Sequence, residues 1–65
     1  MVIPEHTAVM VNGKCYPVRI EADPIDGGFV AFSENAPRCG SQGETREEAL
    51  ANIADAINES LLGRL

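Results

Sequence analysis

Positive charge is scarce in this sequence. Five Lys+Arg stand against ten Asp+Glu, a formal charge of -5, and no basic cluster offsets the excess locally. Affinity for nucleic acid rests mainly on neutralising phosphates, so direct nucleic-acid binding is not expected. A basic protein partner fits better, because complementary charge speeds association and disfavours wrong encounters. Cysteine is also sparse: Cys15 and Cys39 are too few and too widely spaced for a zinc ribbon or a redox C-x-x-C pair. They read as buried or half-buried reduced thiols of a cytoplasmic protein. Long apolar runs are absent too, with nothing near the ~20 residues a membrane-crossing helix needs, and the start "MVIPEHTAV" lacks a secretory signal's basic region and long apolar core. A cytoplasmic location with no membrane partner is the expectation. His6 is the only histidine and Cys39 is followed by Gly40, but neither has an orienting companion evident in the sequence. No catalytic residues, no metal ligands and no cofactor are expected, and the chain reads as a non-enzyme.

At 65 residues the chain reads as one domain, 1–65. Domains this small bury only ~60% of the surface their unfolded chains expose, so a partner, identical or different, is expected to contribute stability.

What is present is a clear order of elements. "TAVMVNGKCYPVRIEAD" holds two β-rich runs around Asn12-Gly13, a dipeptide suited to a two-residue hairpin turn because both positions accept positive φ. Strands over about 7–11 and 15–22 follow. Alternation puts Val9, Val11, Tyr16, Val18 and Ile20 on one face, with Ala8, Met10, Cys15, Pro17 and Arg19 on the other. Pro17 cannot donate, so its nitrogen should point away from a ladder or lie at a sheet edge. "DPIDGG" turns the chain, and "FVAFS" makes a third strand over about 28–33, antiparallel to the second. Val30 and Phe32 share one of its faces, Phe29 and Ala31 the other. Met10, Cys15, Pro17, Phe29 and Ala31 are assigned to a second apolar face, and a face of that kind marks self-association. Ser41 and Gln42 can add a short strand, which pattern alone leaves open.

The helix is the most legible element. Thr45 and Glu48 have capping-box spacing, with Thr45 accepting from a first-turn N–H and Glu48 reaching back to the Thr45 N–H. Ala49, Leu50, Ile53, Ala54, Ile57 and Leu61 then recur at helical spacing, and Gly63 supplies a stop, giving a helix over about 46–62. The glycine-bounded approach to this helix is not a phosphate cradle. Glu44, Glu47 and Glu48 crowd it with negative charge, and the G-x-x-x-x-G-K-[ST] pattern is missing. The fold class is therefore α+β, an antiparallel sheet of three to four strands packed on one C-terminal amphipathic helix.

Taken together, "YPVRIEAD" and "DGGFVAFSENAPRCGSQGETREEALANIADAINESL" resemble the N-terminal domain of HicB family antitoxins over Tyr16 to Leu61. The shared pattern is a Tyr-Pro strand, a Gly-Gly-aromatic-x-Ala strand, a loop ending in Cys, a Ser-x-Gly-Glu-Thr turn and a Glu-Ala-Leu-x-Asn helix. The loop reads "APRC" where the family commonly has Leu-Pro-Gly-Cys, and "HTAVMVNGKC" adds a strand ahead of the usual first one. The resemblance implies a partial RNase H-like fold without RNase H catalysis. It also implies a type II toxin–antitoxin role, in which the partner is a small basic HicA-like mRNA-cleaving toxin whose active or RNA-binding surface is covered. The sequence ends at Leu65 with no helix-turn-helix or ribbon-helix-helix module, so operator binding is not implied. Family members form dimers or larger assemblies, which implies a homo-oligomer. Partner-binding candidates are Glu34, Asn35, Arg38, Gln42 and Glu44, all polar and near loops. The alternative is an orphan self-associating domain with no toxin.

Overall fold

A computed structural model of the chain describes residues 3–63; positions 1–2 and 64–65 of the expected 1–65 domain lie outside the described residues. Four strands, β1 (Glu5–Val11), β2 (Lys14–Ala22), β3 (Phe29–Ser33) and β4 (Gly40–Gly43), form one antiparallel sheet in sequential order, and α1 (Arg46–Leu61) follows. The α+β class is as expected, and Ser41 and Gln42 do lie in a fourth strand.

Each connection has a local cause. Asn12 and Gly13 sit at φ 52 and 78, which makes the β1–β2 turn a mirror-type turn matched to strand twist and sets Val11 opposite Lys14. The following register, Val9 with Tyr16 and Thr7 with Val18, continues past the expected start to Glu5 with Ile20. After β2, the Asp23 carboxylate accepts the N–H groups of Ile25 (2.9 Å) and Asp26 (3.1 Å), closing an Asx turn. Gly27 and Gly28 carry positive φ, so β3 begins at Phe29. Pro17 lies in an interior strand. Its carbonyl accepts from Glu34 N–H at 3.0 Å, so its nitrogen also faces the β3 side, just beyond the last ladder pair, Val18 with Ser33. The missing donor therefore falls where β3 has ended.

Ala49, Ile53 and Ile57 form one stripe of α1, all fully buried, against Val11, Tyr16, Val18, Ile20 and Ala31 of the sheet. This overturns part of the expected second face. Ile20 is opposite Ala31 and Ala22 opposite Phe29, and cross-strand partners share a face. Ala31 and Phe29 therefore belong to the helix-covered side, Ala31 in the core and Phe29 packed against it. Val30 and Phe32 take the open side with Met10, Cys15 and Pro17. "FVAFS" is apolar on both faces, so alternation along β3 could not choose between them. Pairing with β2 did. Cys15 is likewise exposed rather than buried, whereas Cys39 is half-buried on the core with Sγ 3.7 Å from the Ala56 carbonyl; both are free.

The helix start differs in one detail from a capping box. Thr45 Oγ1 accepts from Glu48 N–H at 3.0 Å as expected, but the Glu48 carboxylate accepts the Glu44 N–H at 2.8 Å, not that of Thr45. β4 ends at Gly43, which leaves the Glu44 donor free of the ladder and within reach. Leu62 caps the other end, donating to the Asn58 carbonyl, and Gly63 follows at φ 73.

Gly43 is the hinge of this packing. A Cβ there would stand 2.5 Å from Ala49 N and 2.8 Å from the Glu48 carbonyl carbon. The helix backbone can approach β4 only because Gly43 has no side chain. Gly43→Ala should therefore lower unfolding stability by roughly 1–3 kcal/mol in urea titration. Gly40→Ala, whose Cβ would meet Phe32 at an ordinary 3.5 Å, should change it by no more than about 0.5 kcal/mol.

Candidate functional site

With α1 covering one face, the sheet's other face is left open. His6, Ala8 and Met10 of β1, Cys15, Pro17, Arg19 and Glu21 of β2, Val30 and Phe32 of β3, and Gln42 of β4 share it by register. Met10 is 64% exposed and Phe32 38%.

Arg19 and Phe32 are cross-strand partners at its middle, and the guanidinium carbon lies 4.9 Å from the ring centroid. Arg19 Nε is 2.8 Å from Glu21 Oε2, yet its N–H is not aimed for a hydrogen bond and has no partner among the described residues. The pair is held by charge and by stacking, with one donor direction unused. A shallow depression beside it is lined by Arg19, Phe32, Ser33, Glu34, Arg38, Cys39 and Gly40. Its loop is anchored from below: Ser33 Oγ donates to the Asn35 carbonyl at 2.7 Å, Ser33 N–H donates to the Cys39 carbonyl at 2.9 Å, and the Ala36–Pro37 peptide is cis. Glu34 also has a partner that the sequence did not disclose. His6 Nδ1 lies 2.9 Å from Glu34 Oε1, joining residues 28 positions apart. The histidine read as isolated thus has a carboxylate companion on the surface.

Glu34, Asn35 and Arg38 are consequently neighbours at one end of the β3–β4 hairpin. Gln42 and Glu44 are at the other end. They line a second depression with Asp23, Asp26, Gly27, Gly28 and Glu48. The five partner-binding candidates therefore form two clusters and not one. Arg19, Glu21, Phe32 and His6 were missed as members of the first cluster. The available signal was the β2–β3 register, which depends on where β3 begins within "DGGFVAFS".

The second depression is acidic, and its chemistry is structural. Backbone N–H groups of Asp26 and then Ile25 hold the Asp23 carboxyl below the ordinary aspartate range, because they stabilise its ionised form. Across the molecule, the Arg46 guanidinium pairs with both oxygens of Glu5 and lowers the Glu5 pKa through that hydrogen bonding, tying the start of α1 to the start of β1. Among the described residues no group of three or more His, Cys, Asp or Glu is placed to hold a metal ion. No helix among them is long and apolar enough to cross a membrane.

Fold and site define a small α+β domain whose sheet is roofed on one face by a helix and open on the other. The chain is similar to the UPF0150 protein ssr1765 of Synechocystis sp., with 46% identity over 50 residues. The match covers 72% of this chain and 62% of the relative, so the chain spans less than two thirds of that protein's length. No protein-family model matches the chain, and no solved structure matches it.

The depressed Asp23 predicts an acid response of defined sign. A carboxylate with a lowered folded-state pKa contributes stability above its unfolded pKa and loses it as pH falls through the folded one. Chemical denaturation between pH 7 and 2 should show stability falling below about pH 4. Asp23→Asn should start lower at pH 7 and show a shallower acid decline; an unchanged decline would remove Asp23 from this role.

Proposed function

We propose that the chain is an antitoxin-type binding module that neutralises a small basic HicA-like mRNA interferase by covering its active or RNA-binding surface. The observation that carries this reading is the ordered HicB-like run from Tyr16 to Leu61, whose pieces fall on β2, β3, the loop ending at Cys39, β4 and α1 in turn. The UPF0150 relative, which we read as HicB-like, supports it. Geometry supports it as well. The open face offers an aromatic–guanidinium centre, Phe32 and Arg19, flanked by the carboxylates of Glu21 and Glu34. Aromatic and arginine side chains are the residue types that most often dominate interface energetics. The -5 charge would draw a basic partner, and carboxylates at the face would occupy places that RNA phosphates take.

In this reading the protein performs no catalysis, and His6 with Glu34 is a surface hydrogen-bonding contact rather than an acid–base pair. The exposure of Met10 and Phe32 on the same face favours one second reading, an orphan domain that self-associates without a toxin.

Recovery of the tagged protein from its native cells, followed by mass spectrometry, separates the two. The antitoxin reading expects a stoichiometric small basic chain whose RNA cleavage stops on adding this protein; recovery of the protein alone would sink it. With that partner in hand, Glu34→Lys should weaken binding by about tenfold or more, as loss of a charged interface anchor does. Glu44→Lys, at the opposite end of the hairpin, should leave binding within about threefold, a change of well under 1 kcal/mol. The reverse ranking would move the interface to the acidic depression.

A further inference from the structure

We infer that the free edge of β1 pairs with β1 of a second copy about a two-fold axis at Ala8, joining the two sheets. The two sheet edges are unequal. β4 has four residues, two of them glycine, whereas β1 has seven, EHTAVMV, in unbroken register with β2. Edge strands are ordinarily protected by charged side chains, above all lysine, or by proline, a bulge or brevity. β1 has one charge, Glu5 at its very start, already paired with Arg46, and no lysine, proline or bulge.

The direction of its unused groups follows from the turn. Val11 and Lys14 close a two-residue turn and exchange hydrogen bonds, so Val9, Thr7 and Glu5 alternate in facing β2. The N–H and C=O groups of His6, Ala8 and Met10 then point outward. None of them has a backbone partner outside the strand ladders among the described residues.

These three residues are symmetric about Ala8, which is why a second copy fits better than an arbitrary strand. Antiparallel pairing sets Ala8 against its own counterpart, His6 against Met10, Thr7 against Val9, and Glu5 against Val11. No charge meets its like, and Glu5 is already paired with Arg46. The smallest side chain lies on the axis, where identical residues must approach. The two helices come to one side of the joined sheet, so the partly exposed Thr7 and Val9 extend a common apolar layer. Met10, 64% exposed in one copy, gains the His6 ring as neighbour. The inference needs no toxin, and the open face carrying Arg19 and Phe32 stays accessible.

Ala8→Pro tests it, because the nitrogen it alters faces outward and takes no part in the β1–β2 ladder. Sedimentation equilibrium of the whole chain at micromolar concentration should give a dimer. The variant, with an unchanged circular dichroism spectrum, should have a dimer dissociation constant raised at least about tenfold. A monomeric parent protein overturns the inference, as does a folded variant that dimerises normally. If the variant does not fold, Ala8→Cys in a Cys15→Ser, Cys39→Ala background, where position 8 holds the one thiol, decides. The paired Cα atoms would be about 5.5 Å apart, within disulfide reach. A disulfide-linked dimer on mild oxidation supports the pairing, and failure to cross-link overturns it.

Discussion

The approach of α1 to the sheet at Gly43 is the constraint on which the rest of the molecule depends. The helix backbone comes within a distance that excludes any Cβ at that position, and from there its buried stripe runs over the strands: Ala49, then Ile53, then Ile57. Among the described residues α1 is the one helix that follows the four strands, and it packs on a single sheet face. One helix can cover only one face. Everything offered to a partner is therefore a consequence of which residues that helix does not reach.

Side-chain parity carries this constraint from packing to surface chemistry. Once Val18 and Ile20 point to the helix, Arg19 and Glu21 must point away, and the β2–β3 register brings Phe32 beside Arg19. The cation and the ring are thus paired by strand alternation, with no loop needed to place them. The loop after β3 adds Glu34 and Arg38 to the same end because Ser33 fixes it through both its hydroxyl and its N–H. The long-range side-chain contacts, one ion pair and two neutral hydrogen bonds, do a different task. Arg46 with Glu5 and Asn12 with Asn58 tie the two ends of α1 to the two ends of β1, while Asn52 bonds the Gln42 carbonyl of β4. Such exposed contacts contribute little stability individually, but they position the helix between both edge strands.

Much of this was legible in the residues alone. The Asn12-Gly13 hairpin, the Asp23 turn, the Thr45 N-cap and the Ala49–Ile53–Ile57 stripe are local signals, each set by dihedral preference or periodicity within a few positions. The Tyr16, Val18 and Ile20 face was readable because its alternation is continuous with the turn. Reading failed where a segment was consistent with two answers. "FVAFS" satisfies either parity, so Phe29 and Ala31 were placed on the wrong face; Glu48 had two backbone donors within reach; and Gln42 and Glu44, close to Glu34 in sequence, lie at the far end of a hairpin.

The division follows from the range of the interactions. Turn chemistry, capping and amphipathic spacing act over a handful of neighbouring residues, so element type, order and the buried stripe of α1 were already present in the linear chain. The meeting of His6 with Glu34, the stacking of Arg19 on Phe32, the free edge of β1 and the requirement for glycine at position 43 bring together residues from separate elements. Those arrangements exist only after strand register and helix docking are set, because a shift of one residue in register reverses every side chain that the open face displays.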